Sequence, residues 1–86
     1  MFTGIVEQLG KIISIEKDAG NLHIKVASSL TPEFKIDQSI SHNGICLTVV
    51  KLENDTYTVT AIQETIQKTN IRFWKVGDEV NLERSM

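Results

Sequence analysis

The sequence predicts an all-β protein folded as one small closed barrel. Three observations carry this expectation. Apolar residues recur with a period of two, turn-forming residues interrupt them about every ten positions, and the chain has only 86 residues. A chain of this length is one domain and buries only about 60% of the surface that its unfolded form exposes. That is little for a two-sheet sandwich, whereas closing one sheet removes its exposed strand edges.

The elements follow in chain order. Gly10-Lys11-Ile12-Ile13-Ser14-Ile15 is a weaker strand signal. Lys17-Asp18-Ala19-Gly20-Asn21 reads as a hairpin turn, with Gly20 and Asn21 accepting the positive φ that a tight turn demands. In Leu22-His23-Ile24-Lys25-Val26, Leu22, Ile24 and Val26 face a core while His23 and Lys25 face water. Ser28 to Phe34 reads as helical, limited by Pro32 to about one turn. It looks like a crossover, which favours Greek-key connectivity over a meander. Asn43-Gly44 is a stronger hairpin signal, between Ile40-Ser41-His42 and the strand Ile45-Cys46-Leu47-Thr48-Val49-Val50. In that strand Ile45, Leu47 and Val49 share one face, and Cys46, Thr48 and Val50 share the other. Asn54-Asp55 precedes a strand from Thr56 to Ile62, with Tyr57, Val59 and Ala61 on its apolar face. Glu64 to Thr69 reads as a short helix with a Glu64–Lys68 pair and Asn70 as a left-handed cap. Gly77-Asp78 introduces a last weak strand, Glu79-Val80-Asn81-Leu82. No internal repeat, linker or low-complexity segment is visible.

Composition narrows the function classes. Hydrophobic residues make up 41% and charged residues 23%, as in an ordinary soluble globular domain. A net charge of −2 argues against a nucleic-acid binder that works by neutralising phosphates. An oligonucleotide-binding barrel would also need aromatic platforms among lysines, and aromatics are only 6% and scattered. No apolar run approaches the ~20 residues of a membrane span, and the amino terminus has no secretory signal pattern. The lone Cys46 forbids an internal disulfide and any multi-cysteine zinc site. The chain therefore reads as cytoplasmic and metal-free.

No phosphate loop, metal spacing or flanked nucleophilic serine is present. His23 reads as a surface residue on a wet face, and His42 as a ring whose hydrogen bond pins the adjacent turn. Cys46 is either a small packing residue or, with Thr48, part of an outward groove that exposes the peptide groups of Cys46-Leu47-Thr48 to a planar ligand. Glu7, Glu16, Glu53, Asp78 and Glu79 form no evident pair and read as solvated charges.

The motifs taken together resemble a known family. Met1-Phe2-Thr3-Gly4-Ile5-Val6-Glu7, His42-Asn43-Gly44-Ile45-Cys46-Leu47-Thr48-Val49, Glu64-Thr65-Ile66, Thr69-Asn70 and Lys75-Val76-Gly77-Asp78-Glu79-Val80-Asn81-Leu82-Glu83-Arg84 occur in this order. The chain is similar over essentially its whole length to the amino-terminal half of riboflavin synthase of the alpha-chain type. The resemblance implies a six-stranded antiparallel Greek-key barrel. It implies an enzyme family that converts two molecules of 6,7-dimethyl-8-ribityllumazine into riboflavin and a ribitylamino-pyrimidinedione, with no added cofactor. Family chains carry two such barrels and form trimers, each site lying between one subunit's amino-terminal barrel and its neighbour's carboxy-terminal barrel.

Carried over by motif, the substrate-binding positions fall on Gly4, Ile5 and Val6, on Cys46, Leu47 and Thr48, and on Thr60, Ala61, Ile62, Gln63, Glu64 and Thr65. Ser39 matches a pocket position, and Ser39, Cys46 and His42 are the acid–base candidates. Backbone N–H groups of Thr48 and of Ala61–Gln63 are expected to steady charge that develops on the ring. Ile45 replaces a residue that is small in some relatives, which leaves side-chain contacts there open. Because one barrel of two is matched, the 86 residues are expected to be a domain or fragment of a longer chain, to form a homodimer alone, and to bind without efficient turnover. The alternative from the same motifs is a non-catalytic lumazine or flavin carrier.

Overall fold

A computed structural model of the protein describes residues 8–84. It is the expected six-stranded antiparallel barrel: β1 (Gln8–Asp18), β2 (Asn21–Ala27), β3 (Ser39–His42), β4 (Ile45–Glu53), β5 (Thr56–Ala61) and β6 (Glu79–Arg84), closed in the order β1-β2-β5-β4-β3-β6. One helix, α1 (Gln63–Lys68), and two 3-10 turns, Thr31–Glu33 and Ile71–Phe73, complete it. The connection from β2 to β3 crosses the barrel through the first of these turns, as Greek-key connectivity requires.

Strict alternation fills the interior. Ile24 and Val26 of β2, Ile40 of β3, Leu47 and Val49 of β4, Tyr57 and Val59 of β5, and Val80 and Leu82 of β6 are all buried. Phe34, from the crossover, packs edge-on against Tyr57 with ring centroids 5.0 Å apart. Strand β1 carries a bulge between Ile12 and Ser14, so Ile12 and Ile15 both turn inward and Ile13 is left on the surface. Strand β4 repeats the device: the register shifts between Val49 and Lys51, Leu52 returns to the core and Val50 stays exposed.

These two bulges belong to an internal repeat that is not visible in the sequence. Exchanging β1 with β4, β2 with β5 and β3 with β6 reproduces every strand pairing of the barrel. The hydrogen bonds follow. Val49 N–H donates to Gln38 O (2.9 Å) and its carbonyl accepts from Asp37 N–H (2.8 Å). Ile12 N–H donates to Asp78 O (2.9 Å) and its carbonyl accepts from Gly77 N–H (2.7 Å). Asp37 (φ 73°) and Gly77 (φ 99°) occupy the same left-handed position of the same tight turn. The Gln38 and Asp78 side chains each accept the N–H three residues earlier, at Lys35 and Lys75, both at 2.9 Å. Asp78 is thus a turn cap as well as an exposed charge.

Other local expectations need correction. In the first hairpin Ala19 (φ 51°) and Gly20 (φ 90°) hold the left-handed positions, while Asn21 opens β2. The Asn43-Gly44 turn matches its reading, with φ of 53° and 86°. Asn70 is not a left-handed cap: its φ is −94°, and α1 ends on an extended Thr69 whose hydroxyl donates to Thr65 O at 2.7 Å. Glu53 is paired, lying 3.2 Å from Lys25 Nζ and 3.5 Å from Lys51 Nζ. Hydrogen bonding to Lys25 and the charges of both lysines lower its pKa.

Candidate ligand-binding site

The outward residues of adjacent strands meet in transverse rows. His23 on β2 lies opposite Thr60 on β5, Thr60 opposite Thr48 on β4, and Thr48 opposite Ser39 on β3. Residues directly opposite share a face with Cβ atoms about 5 Å apart, so three hydroxyls and an imidazole form one line across four strands. A second row joins Cys46 on β4 to Ser41 on β3 and Glu83 on β6. Cys46 is a free, exposed thiol beside the hydroxyl line.

An opening lies next to these rows. The β4–β5 ladder ends at the Thr48–Thr60 pair. Beyond Ala61 the chain leaves the wall: Ile62 is still extended, and α1 begins at Gln63. Both peptide groups of Val49 point to the β3 side, bonding Gln38 and Asp37. Since these groups alternate sides along a strand, Leu47 also faces β3, while Thr48 and Cys46 face β5. Thr48 meets Thr60 there. Cys46 would meet Ile62, which is not in the ladder, so its N–H and C=O have no ladder partner among the described residues. One donor and one acceptor on a strand edge can read the imide edge of a flat heterocycle.

The expected contact residues divide accordingly. Thr48 and Cys46 are exposed and outward, and Ser39 and Thr60 are half-buried on the same face. Leu47 has its side chain in the core and its backbone on β3, so the structure leaves it little to offer a ligand. Ala61 is fully buried. Ile62, Gln63 and Glu64 are exposed at the lip of the opening and Thr65 is half-buried. Gln63 N–H is committed to Asn21 Oδ1 (3.2 Å), and Glu64 pairs with Lys68 (3.3 Å). Of these backbone donors, Thr48 is paired with Thr60 and Gln63 with Asn21, whereas those of Cys46 and Ile62 have no partner among the described residues. Gly4, Ile5 and Val6 lie outside the described residues.

His42 is not on this face. It is wholly buried, with Nδ1 2.9 Å from Ile40 O and Nε2 2.7 Å from Tyr57 Oη. A carbonyl can only accept, so Nδ1 carries the proton and Nε2 accepts from the Tyr57 hydroxyl. Burial lowers the ring's pKa to about 4, and burial pushes the Tyr57 phenol up. Such a ring braces β3 against β5 from inside. His23, which reads from the sequence as a plain surface residue, is the one that engages the hydroxyl row. Its Nδ1 lies 2.9 Å from Thr60 Oγ1 and its Nε2 3.1 Å from Asp18 Oδ2. Its outward alternation was a usable signal, but the β2–β5 register that supplies Thr60 was not.

Comparison with known proteins places this barrel, with its interrupted wall, in a family. The chain belongs to the lumazine-binding domain family, whose pattern it matches over residues 3–85. It is 40% identical over its whole length to riboflavin synthase of Bacillus amyloliquefaciens and 41% identical to that of Photobacterium phosphoreum. It covers 40% of each, so it spans less than half the length of these curated relatives. Among solved structures it is similar to LumP complexed with 6,7-dimethyl-8-(1′-D-ribityl)lumazine (TM-score 0.91, 30% identity, all of this chain and 48% of that one). LumP complexed with riboflavin gives a TM-score of 0.89 at 30% identity, over 98% of this chain and 46% of that one. No helix among the described residues is long and apolar enough to cross a membrane.

Proposed function

We propose that this barrel binds 6,7-dimethyl-8-ribityllumazine, and its product riboflavin, on the outer β3–β4–β5 face, as the ligand-holding half of a riboflavin synthase site. The observation that carries this reading is the peptide group of Cys46, without a ladder partner among the described residues, beside the Ser39–Thr48–Thr60 hydroxyl row. The flat ring docks edge-on against Cys46 and the ribityl chain lies along the hydroxyls. The dismutation starts when the acidic methyl on C7 of one lumazine loses a proton and charge spreads into the ring carbonyls. A preorganised N–H donor aimed at such charge is worth about 3–4 kcal/mol in a site shielded from water. Ser39 and Cys46 flank this edge and are the groups that would relay the proton. No cofactor is required, because the substrate's own acidity supplies the carbanion. Stacking a second lumazine on the first, from the second barrel of a neighbouring subunit, supplies proximity.

The LumP likeness favours a second reading, a carrier that binds the same ligands without dismutation. One sample decides between them. Fluorescence titration with the lumazine and with riboflavin is expected to give saturable binding, while the lumazine turnover of the 86-residue chain is expected to be feeble or nil. A homodimer by size-exclusion with measurable turnover supports the enzyme reading, with one barrel standing in for the missing one. Tight binding with no turnover, even when a second family barrel is supplied in trans, supports the carrier. Failure to bind either compound overturns both.

A further inference from the structure

We infer that His23, held by Asp18, is a positioning residue that fixes the Thr60 hydroxyl as a hydrogen-bond acceptor toward the ligand. The inference rests on the proposed binding face. The geometry orders the protons along the line Asp18–His23–Thr60. The Asp18 carboxylate can only accept, so His23 Nε2, 3.1 Å away, carries the ring proton. In the neutral ring Nδ1 is then a lone pair, and the Thr60 hydroxyl 2.9 Å from it must donate. With its one proton committed sideways to His23, Thr60 turns only lone pairs toward the neighbouring Thr48 and the open face. The position therefore selects a ligand group that can donate, such as a ribityl O–H, over one that only accepts.

Without His23 that hydroxyl would rotate freely, and holding it at the moment of binding would cost affinity. The arrangement contributes little to the fold itself. The His23 side chain is 34% exposed and that of Asp18 69%, and exposed pairs of this kind add little to stability. The other charged groups around the ring are Glu16, directly opposite on β1, Lys25 on its own strand, and Lys51 and Glu53 from β4. Glu53 is engaged by both lysines, and Asp18, 3.1 Å from Nε2, is the carboxylate that bonds the ring.

Riboflavin affinity should be measured by fluorescence for the wild-type chain, His23→Phe, His23→Gln, Thr60→Val and the His23→Phe/Thr60→Val double variant, with thermal melts alongside. His23→Phe removes the acceptor and is expected to weaken binding roughly five- to tenfold with a melt within a few degrees of wild type. His23→Gln, whose amide oxygen can still accept from Thr60, is expected to stay within about twofold. The double variant is expected to bind no worse than Thr60→Val alone, because His23 acts only through Thr60. Equal affinity of His23→Phe and wild type, or additive losses in the double variant, overturns the inference and leaves the binding face standing. A wild-type chain that does not bind at all removes the binding face and the inference together.

Discussion

Acidification from neutrality to about pH 4 is expected to cost the barrel about 3 kcal/mol through His42 alone. The buried ring is held neutral in the folded state, with a pKa lowered from 6.5 to about 4 because burial strips water from the charged form. The unfolded chain keeps the ordinary value. Above about 6.5 neither state takes up the proton, so the stability is fully present. As the pH falls through that value the unfolded state gains a proton that the folded state refuses, and unfolding becomes easier until the pH reaches about 4. At 1.36 kcal/mol per pKa unit the whole window is worth about 3 kcal/mol, a large part of the 5–15 kcal/mol typical of a domain. Denaturant midpoints measured at steps from neutrality to about pH 4 should fall for the wild type. They should fall clearly less for His42→Gln, which retains a donor for Ile40 O and an acceptor for Tyr57 but cannot titrate, so that only the carboxylates the two proteins share, Glu53 among them, act at the acid end. Equal slopes for the two proteins would show that the ring is not shielded.

Gly10→Ala is expected to destabilise the chain by about 1–3 kcal/mol, a drop of roughly 5–20 °C in melting temperature. Gly10 sits on the inner face of β1, where no side chain fits. A Cβ there would lie 2.7 Å from Val26 Cγ1 and 2.9 Å from Leu82 Cδ1, both closer than carbon atoms tolerate. Val26 and Leu82 are fully buried and cannot swing aside. The loss is steric, so it should be partly rescued by shortening the neighbour. Gly10→Ala/Val26→Ala is expected to be more stable than the sum of the two single losses. Strict additivity would mean that β1 shifts bodily instead, and that the close approach is not what Gly10 serves.

How much was legible follows from the kind of interaction involved. β2, β4 and β5 announce themselves because their core and surface positions alternate, as in Leu22–Val26 and Tyr57–Ala61. β1 reads weakly, although it is the longest strand, because its bulge at Ile13 breaks the alternation that sequence reading relies on. The internal repeat is invisible for a deeper reason. Its matching hydrogen bonds are made mostly by backbone, so the segments Phe34–Ile40 and Trp74–Val80 need share only Lys35/Lys75 and a common pattern of apolar positions. Any residue that tolerates positive φ serves the turn, hence Asp37 in one half and Gly77 in the other.

The site divides in the same way. Alternation alone placed Cys46 and Thr48 outward, and the helical pattern starting near Glu64 limited β5, which is what opens the wall beside Cys46. The Asp18–His23–Thr60 line was out of reach. It depends on a tight turn at Ala19-Gly20 to bring Asp18 near His23, and on the pairing of β2 with β5, strands separated by two others in sequence. His42 is the reverse case: its place in a recognised motif suggests chemistry, whereas its alternation with Ile40 puts it in the core.

Hydrogen exchange at one amide probes the proposed binding face directly. In the free protein the Cys46 N–H should exchange quickly, while those of Leu47 and Val49 in the same strand are protected by β3. Saturating 6,7-dimethyl-8-ribityllumazine should slow Cys46 by at least tenfold and leave the amides of the distant β1–β6 pair unchanged. A Cys46 amide already protected without ligand, or one that stays fast while protection appears elsewhere on the barrel, would contradict the proposal that the heterocycle docks on this strand edge.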